Sequence, residues 1–126
     1  MGIRLDMVGI VTKDMKKALD FYRLLGLSIP EGSDDAMHVE AEGQDGIRLA
    51  FDKQEMIADI YGGWEEPAGH RIELAFLCEN AAALDKLYSV IVENGFEGHR
   101  EPWDAVWGQR YAIVRDPDGN LISLFA

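Results

Sequence analysis

The feature that most constrains this fold is a pattern of one strand, a capped helix and further strands that occurs twice. In each of the two occurrences, apolar residues recur at helical spacing, an N-cap residue precedes them and a glycine that can end a helix follows them. These signals predict helices over about residues 15–25 and 81–94. The capping residues are Asp14 and Asn80, and the stops are Gly26 and Gly95.

Strand signals surround both predicted helices. The predicted strands span about residues 4–11, 27–30, 37–41 and 47–51 in the first half, and 71–78, 98–102, 109–114 and 121–125 in the second. The order βαβββ therefore occurs twice. At 126 residues the chain is predicted to be one domain, with module one over about 4–51, a connector over 52–69 and module two over about 70–126.

The C-terminal run 107–125, WGQRYAIVRDPDGNLISLF, is a strong hairpin signal. Asp116 and Pro117 suit the start of a tight turn, because proline fixes φ near the value that the second turn position needs. Gly119 accepts a positive φ without steric cost, and apolar residues flank the turn on both sides. We therefore predict two antiparallel strands joined at this turn.

Composition excludes several classes of protein. Hydrophobic residues make up 48% of the chain and charged residues 28%, which is typical of a folded globular protein. We find no signal-peptide pattern at the N-terminus and no apolar run long enough to span a membrane, so the sequence predicts a cytoplasmic protein without a membrane partner. The net charge of −11 argues against nucleic acid as a partner.

The negative charge is concentrated in residues 31–69, which contain eleven acidic residues against the two basic residues Arg48 and Lys53. One interpretation is a solvated face that keeps the protein soluble. The alternative is a rim that attracts cationic ligands. The sequence leaves both open.

Three segments of the chain resemble the glyoxalase, bleomycin-resistance and extradiol-dioxygenase superfamily, whose members are also called vicinal oxygen chelate proteins. The segments are DMVGIVTKDMKKALDFYRLLGL, GHRIELAFLCENAAALDKLYSVIVENG and WGQRYAIVRDPDGNLISL. The resemblance implies an α+β fold in which two βαβββ modules form an incomplete eight-stranded barrel around a concave cleft. It also implies a homodimer.

Enzymes of that superfamily hold a divalent metal with side chains from the first and last strand of each module. The resemblance places Met7, Leu49, Glu73 and Ser123 at these four positions. Only Glu73 carries a charged ligand for such an ion, because thioether, alkyl and hydroxyl groups replace water poorly around a hard or borderline cation. We therefore predict no metal and no other cofactor. The three histidines, His38, His70 and His99, show no metal-ligand spacing.

The remaining polar groups suggest a small-molecule site. Strand alternation predicts that Glu73 and Ser123 face an otherwise apolar cleft, with Met7 and Leu49 contributed by the first module. A buried Glu73 would need a partner, either an arginine such as Arg71 or Arg110 or a cationic group of a ligand. The cleft is thus predicted to bind one small organic molecule.

Tryptophans in polar segments give a second indication. Trp64 lies in the acidic connector, while Trp103 and Trp107 are assigned to a loop before the final hairpin. Aromatic faces near acidic residues suit planar or cationic ligands, whereas the alternative is that the indoles close barrel ends or an interface. We take Trp107 as structural and retain Trp64 and Trp103 as ligand-binding candidates.

Three functions are consistent with these features. The first is a metal-independent protein that binds a small aromatic or cationic molecule. The second is a lyase, isomerase, transferase or dioxygenase of glyoxalase type, with Glu73 as general base or as a metal ligand. The third is a dimeric interaction module with a vestigial cleft. Whether the protein is an enzyme stays open, since three of the four expected ligand positions lack a competent side chain.

Overall fold

We describe residues 2–42 and 46–126 of a computed structural model of the chain. The chain forms two compact units, Met1–Glu66 and Pro67–Ala126, which we treat separately. The elements of the first unit are β1 (Met7–Thr12), α1 (Met15–Leu24), β2 (His38–Glu40), β3 (Arg48–Lys53) and α2 (Gln54–Tyr61). Those of the second are β4 (Leu74–Leu77), α3 (Ala81–Glu93), β5 (Glu97–Asp104), β6 (Arg110–Arg115) and β7 (Leu121–Phe125).

The first unit contains a three-stranded sheet with the order β1-β3-β2. β1 runs parallel to β3, and β2 runs antiparallel to it. Asp14 caps α1 as predicted, its carboxylate accepting a hydrogen bond from the backbone N–H of Lys17. α1 buries Tyr22 against Phe51 of β3, with 4.9 Å between the ring centroids. One face of this sheet is therefore covered by α1.

The second unit contains a four-stranded sheet with the order β4-β7-β6-β5. Asn80 caps α3 as predicted, by accepting a hydrogen bond from the N–H of Ala83. Leu84 and Ile91 of α3 are fully buried. So are alternate residues of the two central strands, Ala112, Val114, Ile122 and Leu124. α3 thus covers one face of this sheet, and the residues between those four point to the opposite, open face.

Two predicted features of the first half differ in the structure. The segment 27–30 does not form a strand: it makes only an isolated bridge between Ser28 and Glu42. Leu27 and Ile29 are buried while Ser28 and Pro30 are exposed, so the segment keeps the alternation that suggested a strand. The following Pro30 cannot donate a ladder hydrogen bond, and the chain then turns through Gly32 at φ 77°.

No helix or strand is assigned to the connector 52–69 from the sequence, but the structure places α2 in it. Ile57 anchors that helix in the core, and Gly62 ends it in the left-handed conformation at φ 79°. The connector is rich in acidic residues and has few apolar ones, so the helical spacing of those few did not stand out in the sequence. Asp45 of the acidic region lies outside the described residues.

The α+β class predicted for this chain is confirmed. The described residues form two sheets with seven strands and three helices, in place of the eight strands expected. The difference is the strand expected at 27–30. None of the helices in the described ranges has the length and apolar character that a membrane span requires.

Candidate functional site

The predicted C-terminal hairpin is present, and it fixes the position of Ser123. Asp116 is buried, and its carboxylate accepts hydrogen bonds from the backbone N–H groups of Asp118 and Asn120, each at 2.9 Å. It also accepts one from the Asn120 amide at 2.7 Å. Gly119 has φ 88°, as the turn requires. One carboxylate therefore holds the turn and sets the register of β6 against β7.

Ser123 lies in the middle of the sheet, paired with Ile113 on one side and Ala75 on the other. The residue is 2% exposed, and its hydroxyl donates a hydrogen bond of 3.2 Å to the Glu73 carboxylate. The two side chains are thus in contact, although Glu73 lies just before β4 and not within a strand. Glu73 itself is exposed, and not buried as expected.

A concave pocket of about 270 Å³ surrounds this pair. It is lined by His70, Arg71, Ile72, Glu73, Ile113, Leu121 and Ser123. The volume is close to the lower end of the range for small-molecule sites, roughly 300–1,000 Å³. Three of the seven lining residues are aliphatic and four are polar or charged, so the pocket is more polar than the otherwise apolar cleft that the sequence predicts.

The arginine partners suggested for Glu73 do not pair with it. Arg110 donates to the Asp85 carboxylate at 3.0 Å and to Asp104 at 3.2 Å, so its guanidinium is already engaged. These hydrogen bonds raise the pKa of Arg110 above its usual value, and the bond to Asp85 has the larger effect. Arg71 lines the same pocket as Glu73, but no ion pair joins these two described residues. Among the described residues, the one hydrogen bond of the Glu73 carboxylate comes from Ser123.

Aromatic side chains form a cluster next to the pocket, on the same open face. Phe125 follows Ser123 by two residues, and its ring stacks with Tyr111 at 6.4 Å between centroids. Trp103 and Trp107 each contact Tyr111 edge to face at 5.3 Å. The guanidinium of Arg100 lies 3.6 Å from the ring centroid of Trp103. Trp103 belongs to β5, so its assignment to a loop was wrong: the register pairs it with Tyr111.

The first unit does not bring Met7 and Leu49 together. β1 and β3 pair Met7 with Arg48 and Val8 with Leu49, so Met7 and Leu49 lie on opposite faces of the sheet. Phe51 shares the face of Leu49, the one that α1 covers. The prediction that both residues line one cleft is therefore wrong, because the register of β1 against β3 differs by one residue from the register that it requires.

Comparing the two sheets identifies the corresponding position. In the second unit Ser123 pairs with Ala75, two residues after Glu73. In the first unit Ala50 pairs with Gly9, two residues after Met7. Ala50 is thus the counterpart of Ser123, and its methyl side chain is fully buried and carries no donor atom.

The open face of the first sheet carries a charge network that sequence reasoning missed. The Asp52 and Glu40 carboxylates contact the two ring nitrogens of His38, at 2.5 and 2.9 Å. The Arg48 guanidinium donates one hydrogen bond to the Glu40 carboxylate at 2.8 Å and another to the Asp6 carboxylate at 2.7 Å. Ionised carboxylates only accept, so this geometry favours the protonated ring of His38, in which both nitrogens donate. Such pairings between strands far apart in sequence leave no local signal.

These contacts shift the pKa of their members in consistent directions. The hydrogen bond to Glu40, followed by the one to Asp52, raises the pKa of His38. The same bond from His38, followed by that from Arg48, lowers the pKa of Glu40. Hydrogen bonding to Arg48 lowers the pKa of Asp6. Each of these shifts favours the charged form of the group concerned.

Trp64 of the connector is half-buried in the first unit. Its indole N–H donates to the Glu66 carboxylate at 3.1 Å, and Lys13 also contacts that carboxylate at 3.1 Å. The bond from Lys13, followed by that from Trp64, lowers the pKa of Glu66. Met7, Leu49 and Trp64 thus belong to the first unit, while the Glu73 pocket and Trp103 belong to the second.

The residues at the expected metal positions do not fit a divalent cation. Met7, Ala50 and Ser123 offer a thioether, a methyl group and a hydroxyl, which leaves Glu73 as the one charged ligand. In the ranges 2–42 and 46–126, no three His, Cys, Asp or Glu side chains form a group that could hold a metal ion.

The fold and the paired strand registers point to one class of protein. The family model of the glyoxalase/bleomycin resistance protein/dioxygenase superfamily matches residues 4–124, and the chain belongs to this superfamily.

Among individual proteins, the chain is 27% identical over 126 residues to the uncharacterized protein YraH of Bacillus subtilis (strain 168), covering 98% of both chains. A glyoxalase/bleomycin resistance protein/dioxygenase family enzyme from Burkholderia phytofirmans PsJN has a similar structure, with a TM-score of 0.82, 21% identity and 98% of both chains covered. A protein of unknown function from Agrobacterium tumefaciens str. C58 matches with a TM-score of 0.75 and 26% identity, covering 99% of this chain and 94% of that one.

Proposed function

We propose that this protein is a metal-independent member of the superfamily that binds a small organic molecule in the pocket of its second unit. The observation that carries the proposal is the Glu73 carboxylate, which lines a concave pocket and, within residues 2–42 and 46–126, accepts a single hydrogen bond, from Ser123. A carboxylate with spare acceptor capacity suits a ligand with an amine or another strong donor. The proposed ligand is therefore cationic at one end.

The neighbouring aromatic cluster supports an aromatic or otherwise apolar body for the ligand. Ile113 and Tyr111 are two residues apart on β6, as Ser123 and Phe125 are on β7. Side chains with this spacing point to the same face, so the pocket and the rings form one continuous surface. Trp107 is 58% exposed and leaves aromatic surface open to a ligand.

Metal independence follows from the donor chemistry at the family positions. A single glutamate with neutral, weakly ligating neighbours does not supply the three or four ligands that Zn²⁺ requires. We expect elemental analysis of the purified protein to give well below one equivalent of Zn, Ni, Mn or Fe. A stoichiometric metal that is lost in the Glu73→Gln variant would refute this part of the proposal.

Thermal unfolding in the presence of basic aromatic compounds such as benzylamine and tryptamine tests the binding itself. A ligand at about 100 times its Kd stabilises the folded state by about 2.7 kcal/mol. For a chain of this size that corresponds to a rise in Tm of roughly 10 °C. Glu73→Gln should abolish the rise. Glu79→Gln is the matched control, because Glu79 is exposed and does not line the pocket.

If no compound in a broad basic set raises Tm, or if Glu73→Gln responds like the wild type, the proposal is refuted.

A second candidate, a glutamate-assisted enzyme, has one observation in its favour. The same Glu73 carboxylate has no ion pair with a described cation, so it could accept a proton from a bound substrate. Turnover would then require Glu73, whereas simple sequestration leaves a bound compound chemically unchanged. Mass spectrometry of a compound recovered after incubation with the wild type and with Glu73→Gln separates the two.

A further inference from the structure

The pocket of the second unit contains a positive and a negative side chain that do not neutralise each other. Arg71 and Glu73 both line it. Within residues 2–42 and 46–126, Arg71 forms no hydrogen bond or ion pair, and Glu73 accepts one hydrogen bond, from Ser123. Both charges are therefore available to a ligand.

Arg71 differs in this respect from every other arginine of the second unit. Each of those three has a partner in the described structure. Arg110 pairs with Asp85 and Asp104, Arg115 pairs with Glu97 at 2.7 Å, and Arg100 stacks on Trp103. An unpartnered guanidinium beside a pocket is therefore not the general pattern of this surface.

The two charges come from the segment just before β4, which begins at Leu74. Arg71, Ile72 and Glu73 are consecutive and all three line the pocket, so one aliphatic residue separates the two charged residues in the sequence. Ile113 and Leu121 form the aliphatic wall beside them. A ligand against this wall can meet a cation and an anion at once.

We infer that the ligand is amphoteric: a small molecule of amino-acid type, whose ammonium group binds Glu73 and whose carboxylate binds Arg71. This inference rests on the proposed function and specifies its ligand class. Arginine recognises carboxylates through two parallel N–H donors, and the Glu73 carboxylate accepts from an ammonium. The aliphatic or aromatic body of the ligand lies against Ile113 and Leu121. A pocket of about 270 Å³ has room for a single side chain of this kind.

Isothermal titration with two matched series of compounds tests the inference. The first series is phenylalanine, 2-phenylethylamine and 3-phenylpropanoate, and the second is leucine, 3-methylbutylamine and 4-methylpentanoate. Within each series the body is constant, and only the ammonium or the carboxylate is removed. We expect one amphoteric compound to bind the wild-type protein about tenfold or more tightly than both of its singly charged analogues.

Two variants assign each charge of the ligand to its residue. Arg71→Gln should remove the preference for the amphoteric compound over the amine, and Glu73→Gln should remove its preference over the acid. Lys86→Gln and Glu79→Gln make the same changes in charge at exposed positions of the same unit that do not line the pocket. Both controls should bind like the wild type.

The outcomes separate this inference from the proposed function. If an amine binds the wild type as tightly as its amphoteric analogue, or if Arg71→Gln changes nothing, the inference is overturned while a Glu73-dependent cationic ligand stands. If an acid binds as tightly as its amphoteric analogue, the contact between the ammonium group and Glu73 is refuted and both are overturned. The same holds if all six compounds fail but another basic aromatic compound binds through Glu73. If neither these six nor the basic screen shows binding, both are overturned.

Discussion

Replacing Gly98 with alanine should destabilise the second unit, because the ring of Tyr88 occupies the space that the new methyl group needs. A Cβ atom at Gly98 would lie 2.1 Å from the Tyr88 hydroxyl oxygen, 2.7 Å from its Cζ and 3.2 Å from Cγ2 of Val92. Carbon and oxygen atoms in contact are normally separated by about 3.3 Å or more. More than about 1 Å is therefore missing, and the ring of Tyr88 has to move off β5.

The magnitude follows from two opposing effects. Overpacking of this kind costs about 1–3 kcal/mol. Alanine in a strand gains about 0.5–1 kcal/mol over glycine, because the unfolded chain loses less freedom. The net loss in the free energy of unfolding is then about 1–2 kcal/mol. For a chain of this size, that lowers Tm by roughly 4–8 °C.

Circular dichroism during thermal unfolding measures the effect, and a second substitution tests its cause. In a Tyr88→Ala background the obstacle is gone, so Gly98→Ala should be neutral or stabilising there. Tyr88→Phe removes only the hydroxyl and should relieve the clash in part, since the position of Cζ remains too close. Gly9→Ala makes the same change in β1, where the nearest side-chain atom, Oδ2 of Asp52, would be 3.3 Å away and has to move by only a few tenths of an ångström, so its effect should be smaller than that of Gly98→Ala.

The reasoning is refuted if Gly98→Ala unfolds at the wild-type temperature, or if it is equally destabilising with and without the tyrosine ring.

Three further predictions concern other parts of the chain. Because the pKa of His38 is raised in the folded state, its contacts with Glu40 and Asp52 stabilise the fold below a pH of about 6.5 and lose this effect as the pH rises through the raised value. Urea unfolding between pH 6 and 9 should show that slope in the wild type and lose it in His38→Gln; an unchanged slope in the variant would contradict the assignment. Asp116→Ala removes the acceptor of three hydrogen bonds in the hairpin turn, and we expect it to lower the free energy of unfolding by about 2–4 kcal/mol, measured by urea denaturation. Wild-type stability in that variant would mean that the turn does not depend on the carboxylate. The homodimer implied by the family predicts twice the chain mass in light scattering, and a monomer at micromolar concentration would contradict it.

The elements that local residues specify were predictable from the sequence. The capping residues and the glycines after each helix predicted the ends of α1 and α3 to within a residue or two, and the DPDG turn predicted the final hairpin. Alternation along β7 correctly placed Ser123 between the buried Ile122 and Leu124, on the face that contacts Glu73. In each case the determining residues are neighbours in the chain, so no knowledge of distant contacts is needed.

Features that depend on pairing between distant segments were not predictable in the same way. The register of β1 against β3 decides that Ala50, and not Leu49, corresponds to Ser123, and a shift of one residue exchanges the two faces. The network around His38 joins Asp6 to Arg48, which are 42 positions apart in the sequence. Segment 27–30 shows the reverse case: its alternation is real, but Pro30 and the following turn prevent a ladder.

Along β7, the residues that pack against α3 alternate with the residues that line the pocket. Ile122 and Leu124 are fully buried under α3, while Ser123 between them points to the open face. A change at that one position alters what the pocket offers a ligand without touching the side chains that hold the helix. Ala50 has the corresponding place in the first sheet. Residues that face α3 and the residue that faces the pocket thus alternate along one strand, so the polar groups of the pocket can change while the contacts with the helix stay the same.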